Sequence, residues 1–299
     1  MTRHSPRQPS RAPSAAQAAH SPRLRAARRL TKRAFRERER AFLAEGLQAV
    51  TEAFGCGARI SDLFVTVPAR SRHRELVDAI AGAGIPVHVV SGEAMAGLAQ
   101  TVTPQGLLAV CGFVDVPLCG LRPLALAALL ANVRDPGNAG TVLRTADAAG
   151  AQAVIFADAC VDPYNGKCVR ASAGSLFHVP VVTGVALAEA VTAMRQAGLR
   201  VLAADGRAGR CLDDPDVQAR LREPTAWLFG NEAWGLPPEQ LSLADERIAV
   251  PMYGRAESLN LAAAAAVCLY ASAGAQAGRA AAAREAGEAQ EATQHARVR

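Results

Sequence analysis

The chain has 299 residues, half of them apolar, and a formal charge of +6, enough for two modest domains with real cores plus tails. The charge is uneven: residues 1–40 hold twelve Lys or Arg against two acids, a balance of +10, which leaves −4 for the rest, so the basic character belongs to an N-terminal arm suited to nucleic-acid phosphates or simply to solvent. No apolar run approaches membrane-spanning length and the Arg-rich start lacks the apolar stretch of a secretory signal, which makes the cytoplasm the default location and excludes a membrane partner.

Residues 1–30, made of Arg, Ser, Pro and Ala without hydrophobic period, are expected to be a disordered basic tail. A compact α/β unit is expected over residues 31–117. Phe42, Leu43, Leu47, Val50 and Phe54 have helical spacing, with Gly55 and Gly57 to stop the helix. Residues 61–67 read as a strand, 74–83 as a helix, 86–90 as a strand and 106–111 as another. Alternation of this kind predicts an α/β layer structure.

Residues 118–123, rich in Pro and Gly, read as a linker. Over 124–272 strand and helix signals alternate again, with strands expected at 124–130, 153–156, 177–182, 200–204, 226–229 and 248–250. Residues 273–299 are Ala- and Glu-rich without an apolar stripe and read as a frayed or disordered tail. The seven cysteines (Cys56, Cys111, Cys119, Cys160, Cys168, Cys211, Cys268) form no C-x-x-C pair. That scatter fits neither a disulfide framework nor a zinc site and predicts buried, reduced thiols and no metal.

Three segments place polar and glycine residues directly after short apolar runs, where an open α/β sheet opens its ligand crevice. The first is Asn132-Val-Arg-Asp-Pro-Gly-Asn138, a loop of turn formers in which Asn138 is a candidate N-cap for a helix over 139–149. On that helix Val142, Ala146 and Ala149 share a face, and Arg144 lies about 200° from Val142. A cation this early opposes the helix macrodipole, so Arg144 serves either a surface ion pair with Asp147 or Asp135 or a ligand. The second is Phe229-Gly-Asn-Glu-Ala-Trp-Gly235, where Gly230 permits close backbone approach and Glu232 is the single acid. The third is Val250-Pro-Met-Tyr-Gly-Arg-Ala-Glu-Ser-Leu-Asn260, where Ser258 and Asn260 either bond a ligand or cap the Ala-rich helix that follows. No Lys-Ser/Thr follows the glycines, which excludes a P-loop, and no G-x-G-x-x-G opens a helix.

In order and spacing these segments resemble the three motifs of the SPOUT RNA methyltransferases, in the SpoU/TrmH-like branch, over residues 121–270. The resemblance implies a knotted (trefoil) SPOUT-type parallel-sheet catalytic domain in an α/β chain, preceded by a small α/β, ribosomal-protein-like substrate-binding domain. Residues 42–50 and Thr103-Pro-Gln-Gly106 carry that second likeness, although the same residues suit an ordinary helix start and turn. It further implies methylation of a ribose 2′-hydroxyl in RNA, 23S ribosomal RNA first, with S-adenosylmethionine as donor and a homodimer as the working unit. By the same resemblance Asn132, Arg144, Glu232, Ser258 and Asn260 form the catalytic neighbourhood, with Glu232 orienting the arginine or RNA. Gly230, Val250 and Leu259 hold the donor. Ala233-Trp234 before Gly235 departs from the family's commoner Gly-x-Glu-Gly spelling. Because a guanidinium keeps its proton, Arg144 is expected to stabilise a developing alkoxide and not to act as a free base. A transfer-RNA 2′-O-methyltransferase and a non-catalytic RNA-binding protein of the same fold are the alternatives.

Overall fold

The computed structural model describes residues 21–121 and 124–278; what the sequence suggests for residues 1–20 and 279–299 lies outside the described residues. In the N-terminal unit α1 (Pro22–Arg29) and α2 (Arg33–Glu39) precede β1 (Ala41–Glu45), α3 (Leu47–Gly55), β2 (Ile60–Thr66), α4 (Val67–Arg72), α5 (Arg74–Gly82), β3 (Val87–Val90), α6 (Gly92–Ala96) and β4 (Leu107–Gly112). The four strands form one mixed sheet in the order β1-β4-β2-β3, antiparallel at both contacts of β4 and parallel between β2 and β3.

Two expectations for this unit are corrected. Residues 22–29 are a helix and not part of a disordered tail: Ser21 caps it, Pro22 opens it, and Leu24, Ala27 and Leu30 bury against Leu43, Phe64, Leu108 and Val110 on the sheet. Residues 42–45 are a strand and not the start of a helix. Phe42, Leu43 and Ala44 are all buried, Phe42 and Ala44 in one core and Leu43 in another, the mark of a strand covered on both faces. Gly46 then separates this strand from α3, whose first N–H groups include that of Leu47, held by the side-chain oxygen of Gln105 at 2.9 Å.

The C-terminal unit comprises β5 (Leu126–Ala131), α7 (Pro136–Ala148), β6 (Ala153–Ala157), α8 (Gly166–Ala171), β7 (Val181–Val185), α9 (Leu187–Gln196), β8 (Arg200–Ala204), α10 (Pro215–Arg220), β9 (Thr225–Phe229), α11 (Pro238–Leu241), β10 (Glu246–Ile248) and α12 (Leu261–Gly278). Its six strands make a parallel sheet ordered β10-β8-β9-β5-β6-β7. Every residue of β5 and β9 is buried, as central parallel strands require. Leu126, Ala128 and Leu130 face a core shared with α7, α10, α12 and the N-terminal unit, whereas Ala127, Leu129 and Ala131 face α9. Gly140 of α7 lies so close to α8 that a Cβ there would stand 2.4 Å from the carbonyl oxygen of Cys168, so the two helices touch backbone to backbone. The expected strand at 177–182 begins only at Val181, after a 3-10 turn over Ser175–Phe177.

The C-terminal expectations also need correction. The helix does not fray at 273: Ser272 is fully buried and accepts a 2.8 Å hydrogen bond from the indole of Trp227, and Gln276 donates to the carbonyls of Ala125 and Glu223. By length and composition α12 is apolar enough to cross a membrane (mean hydropathy 1.3), contrary to the sequence reading, because alanine carries the hydropathy. In the fold its Leu261, Ala265, Cys268 and Leu269 pack on the sheet. The cysteines divide: Cys111, Cys160, Cys168 and Cys268 are buried, while Cys56 and Cys119 are exposed and Cys211 half-buried.

The two units share one core across a polar seam. The guanidinium of Arg36, nearly fully buried, meets the carboxylate of Asp162 at 2.6 Å and donates to the carbonyls of Leu30 and Thr31. Arg170 reaches Glu45 at 3.2 Å. Tyr164 stacks on Phe113 with ring centres 3.8 Å apart and lies 4.8 Å from Phe42, while its hydroxyl donates to Asp115. At the exposed end of the seam His178 places Nδ1 2.8 Å from Asp147 of α7 and Nε2 3.1 Å from Glu52 of α3.

Removing one partner of a buried ion pair leaves the other charge uncompensated. Arg36→Met is therefore expected to cost about 3–5 kcal/mol in chemical denaturation. The hydrogen bond to Asp147, with a smaller one to Glu52, raises the pKa of His178 above its ordinary 6.5 against the opposing effect of burial. A raised folded-state pKa stabilises the fold fully below the unfolded value, and that contribution is lost as pH rises through the folded one. The melting-temperature gap between the native chain and His178→Gln should be largest below the ordinary imidazole pKa of 6.5 and shrink as the pH is raised above it.

Candidate active site

The strand order reverses between β5 and β9: the chain leaves β5 towards β6 and β7, and leaves β9 towards β10 on the other side. Loops following two such strands diverge and leave a crevice at their carboxyl ends. The first and second motifs are those loops, and the third follows β10.

The loops are braced to one another. Asn132 ends β5 in the left-handed region (φ 57°), a conformation Asn tolerates better than most residues, and its carbonyl accepts a 2.8 Å hydrogen bond from the side-chain amide of Asn231. Glu232 accepts from the backbone N–H groups of Arg134 (3.2 Å) and Asp135 (3.0 Å) and from the side chain of Asn138 (3.3 Å). The Asn138 side-chain oxygen accepts in turn from Asn260 at 3.1 Å. Asn132, Glu232 and Asn260, from three distant segments, thus converge through Asn231 and Asn138.

Asn138 is not the N-cap of α7. Asp135 is: its carboxylate accepts from the Asn138 N–H at 2.8 Å, with Pro136 in the first turn. With Asp135 as the cap, the Asn138 side chain is left for the brace. Asp135 also pairs with Lys167 at 2.7 Å, and this bond, with the Asn138 N–H, draws its carboxyl below the usual range. The cap was legible in the Asp-Pro pair, since Pro favours the first helical position; Asn231 and Lys167 carried no local signal. Ser258 caps nothing: the oxygen of Asn260 accepts from the Ala262 N–H instead. Nor does Glu232 touch Arg144.

Arg144 and Ser258 stand apart from the brace. Both are exposed, and neither side chain has a hydrogen bond or ion pair among the described residues. The carboxylates that could have neutralised Arg144 are engaged elsewhere, Asp147 by His178 and Asp135 by Lys167. Arg144 lies about 9 Å along α7 from Asn138, at 1.5 Å per residue.

Beside the brace is a pocket of about 590 Å³ walled by Leu212, Val250, Met252, Tyr253, Leu259 and Val267, a size typical of small-molecule sites. Val250 and Leu259 line it. Leu259 precedes Asn260, so pocket and brace meet across one peptide bond. Gly230 is not in its lining. A Cβ there would fall 2.5 Å from the backbone of Gly235 and 2.7 Å from Leu236, so this glycine allows the 231–235 turn, closed by Asn231–Gly235 backbone bonds, to fold back on itself. A second cavity, about 620 Å³, lies between residues 118–121 and α9 and contains none of the motif residues.

Residues 125–270 match the SpoU rRNA Methylase family and residues 21–109 an MRM3-like substrate binding domain. The chain is 34% identical over 235 residues to the 23S rRNA (guanosine(2553)-2′-O)-methyltransferase RlmP of Bacillus subtilis, covering 79% of this chain and 89% of that one. It is 32% identical to the 23S rRNA (guanosine-2′-O-)-methyltransferase RlmB of Bordetella pertussis, covering 71% and 87%. The AdoMet-bound rRNA methyltransferase of Sinorhizobium meliloti superposes with a TM-score of 0.72 at 31% identity, over 84% of this chain and 94% of that one.

Overpacking a closed site costs about 1–3 kcal/mol. Gly230→Ala should lose that much stability in urea unfolding and should weaken S-adenosylmethionine binding in calorimetry, because the turn beside the pocket must open.

Proposed function

Because the chain belongs to the SpoU rRNA methylase family, whose members methylate ribose 2′-hydroxyls with S-adenosylmethionine, we propose that its substrate is 23S ribosomal RNA. The names of the relatives support this substrate over transfer RNA, as does the match of the N-terminal unit to a substrate-binding domain. We assign residues 22–117 to that domain, 118–123 to the linker and 124–278 to the methyltransferase domain. A trefoil knot in the C-terminal part and action in the cytoplasm accompany this reading.

The observation that carries it is the junction at residues 259–260, where a pocket of nucleoside size meets the Asn138–Glu232 brace. Pocket and chemistry fit each other: the walls are mostly apolar, as an adenosyl group requires, and Asp213 and Gln218 in the lining offer polar groups to orient it. When bound there, S-adenosylmethionine supplies an electrophilic methyl carbon on a sulfonium. No metal is needed for an in-line displacement at that carbon.

The residues then have distinct tasks. Val250 and Leu259 exclude water from the donor side. Asn132, Asn138, Glu232 and Asn260 hold the loops of three strands in one geometry, and such positioning can remove up to about 7–11 kcal/mol of barrier. Arg144 offers an uncompensated guanidinium to the ribose oxygen as negative charge develops on it, a stabilisation larger in a water-poor site than in bulk solvent. The family likeness assigns Ser258 the donation of a hydrogen bond to the same ribose or to an adjacent phosphate.

A homodimer completes this arrangement. Among the described residues, six of the ten exposed large apolar side chains (Trp234, Met252, Tyr253, Leu259, Val267 and Tyr270) lie on the second and third motifs and α12, a concentration that marks an interaction face. A partner docked there would cover the exposed apolar face of α12.

Tritiated S-adenosylmethionine and ribosomal RNA lacking the modification test the reading. The native chain should label 23S RNA at a ribose. Arg144→Ala should reduce kcat by about 10²–10³, the range for losing one charge-stabilising donor, with little change in donor affinity. Arg144→Lys should remain well below native turnover, because a point charge lacks the guanidinium fork. Native-level labelling of transfer RNA with none on 23S RNA would replace the substrate.

A further inference from the structure

At the exposed end of the interdomain seam, remote from the motif loops, stands a group of side chains that methyl transfer does not use. Glu52 and Cys56 are four residues apart at the end of α3 and so share a helix face. His178 approaches them from the catalytic unit, after the 3-10 turn that ends at Phe177. One ligand atom from each, the Glu52 carboxylate, the Cys56 sulfur and a ring nitrogen of His178, lie within 4.8 Å of one another. We propose that these three residues bind a zinc ion that fastens the substrate-binding unit to the catalytic unit.

The case rests on donor set, orientation and access. A thiolate, an imidazole and a carboxylate are the three donor types that zinc takes in proteins, with bonds of about 2.0–2.3 Å to tetrahedral corners. Corners at that radius lie about 3.3–3.8 Å apart, so side-chain rotations of about an ångström close the site. The histidine is already aimed. Its Nδ1 is 2.8 Å from Asp147, and a carboxylate on the far nitrogen is the usual support of a zinc-bound histidine, fixing the tautomer that presents Nε2 to the metal. Nε2 faces Glu52 at 3.1 Å. Glu52 is held by Gln48, 2.6 Å away, and Gly174 leaves room for its side chain, since a Cβ there would fall 2.3 Å from the Glu52 Cγ.

Cys56 is the member that an ion triad leaves unexplained. A histidine between two carboxylates needs no thiol, yet the exposed Cys56 sulfur lies within 4.8 Å of the ligand atoms of both Glu52 and His178. Bound zinc stabilises the thiolate, and the thiol proton leaves to solvent. Thiolate, carboxylate and neutral imidazole offset the two positive charges, and a water molecule completes the four-coordinate shell. Sequence spacing could not reveal the site, because His178 lies 122 residues beyond Cys56 in the chain.

The test uses the full chain, stripped with chelator, and zinc sulfate or cobalt chloride as the probe. Calorimetry should show one zinc per chain and a rise in melting temperature. Cobalt should produce the thiolate-to-metal charge-transfer band of a cysteine-ligated tetrahedral site. Cys56→Ser should abolish that band, and Cys56→Ser and His178→Gln should each weaken zinc at least tenfold. Asp147→Asn should weaken it by about 10–100-fold, as expected for lost outer-shell support. Circular dichroism in chelator checks that each variant folds. No stoichiometric zinc, no charge-transfer band in the native chain, or zinc affinity unchanged in either ligand variant would overturn the proposal.

Discussion

The brace between the loops after β5 and β9 is the constraint on which the site depends. Two parallel strands that diverge in connection cannot bond their outgoing loops through the sheet ladder, because the ladder ends where the crevice begins. Side chains must do it. Asn231 reaches across to the carbonyl of Asn132, and Glu232 takes the two N–H groups that would otherwise be free in the 132–138 loop. With both loops fixed, Asn138 and Asn260 face each other and the third segment is registered against the first.

Much of this fold was legible, for a physical reason. Strands buried on both faces read as short, continuous apolar runs, and residues 126–131, 153–157 and 225–229 have few other ways to satisfy that pattern. The failures came where that logic competes with another. Residues 42–44 are equally apolar, but Phe42 is followed at helical spacing by Leu47, Val50 and Phe54, so a strand and a helix joined at Gly46 imitate one long helix. Residues 22–29 contain four arginines, and only Leu24 and Ala27 face inward. Composition counts the charges, whereas burial of two side chains decides the structure.

The site was legible as chemistry and poorly legible as geometry. Residue types at loop positions pointed to Asn132, Glu232 and Asn260, and the contacts among them run through Asn138 and Asn231, whose roles depend on pairings 94–122 residues apart in the chain. A cap is a local event, and its signal lies in the Asp135-Pro136 pair. An inter-loop hydrogen bond is not local, and periodicity carries no trace of it. Arg144 is a different case. Its direction away from the apolar face of α7 followed from helix geometry alone, whereas its freedom from Asp135 and Asp147 depends on Lys167 and His178 reaching those carboxylates first.

That last dependence ties the two units into one device. His178 belongs to the seam, yet by holding Asp147 it removes a counterion from the helix that carries Arg144. Lys167 stands at the start of α8 and by holding Asp135 removes the other. The same α8 carries Arg170, which reaches Glu45 at the end of β1, and its approach segment carries Asp162 and Tyr164, which fasten to Arg36 and Phe42. A helix packed backbone to backbone on α8 at Gly140 cannot shift without shifting those contacts. The N-terminal unit is therefore seated against the helix bearing the free guanidinium, so the two units hold a fixed distance and angle to each other. Rigidity of this kind is what positioning requires, since the gain from a near-attack geometry is lost when either reactant wanders by an ångström.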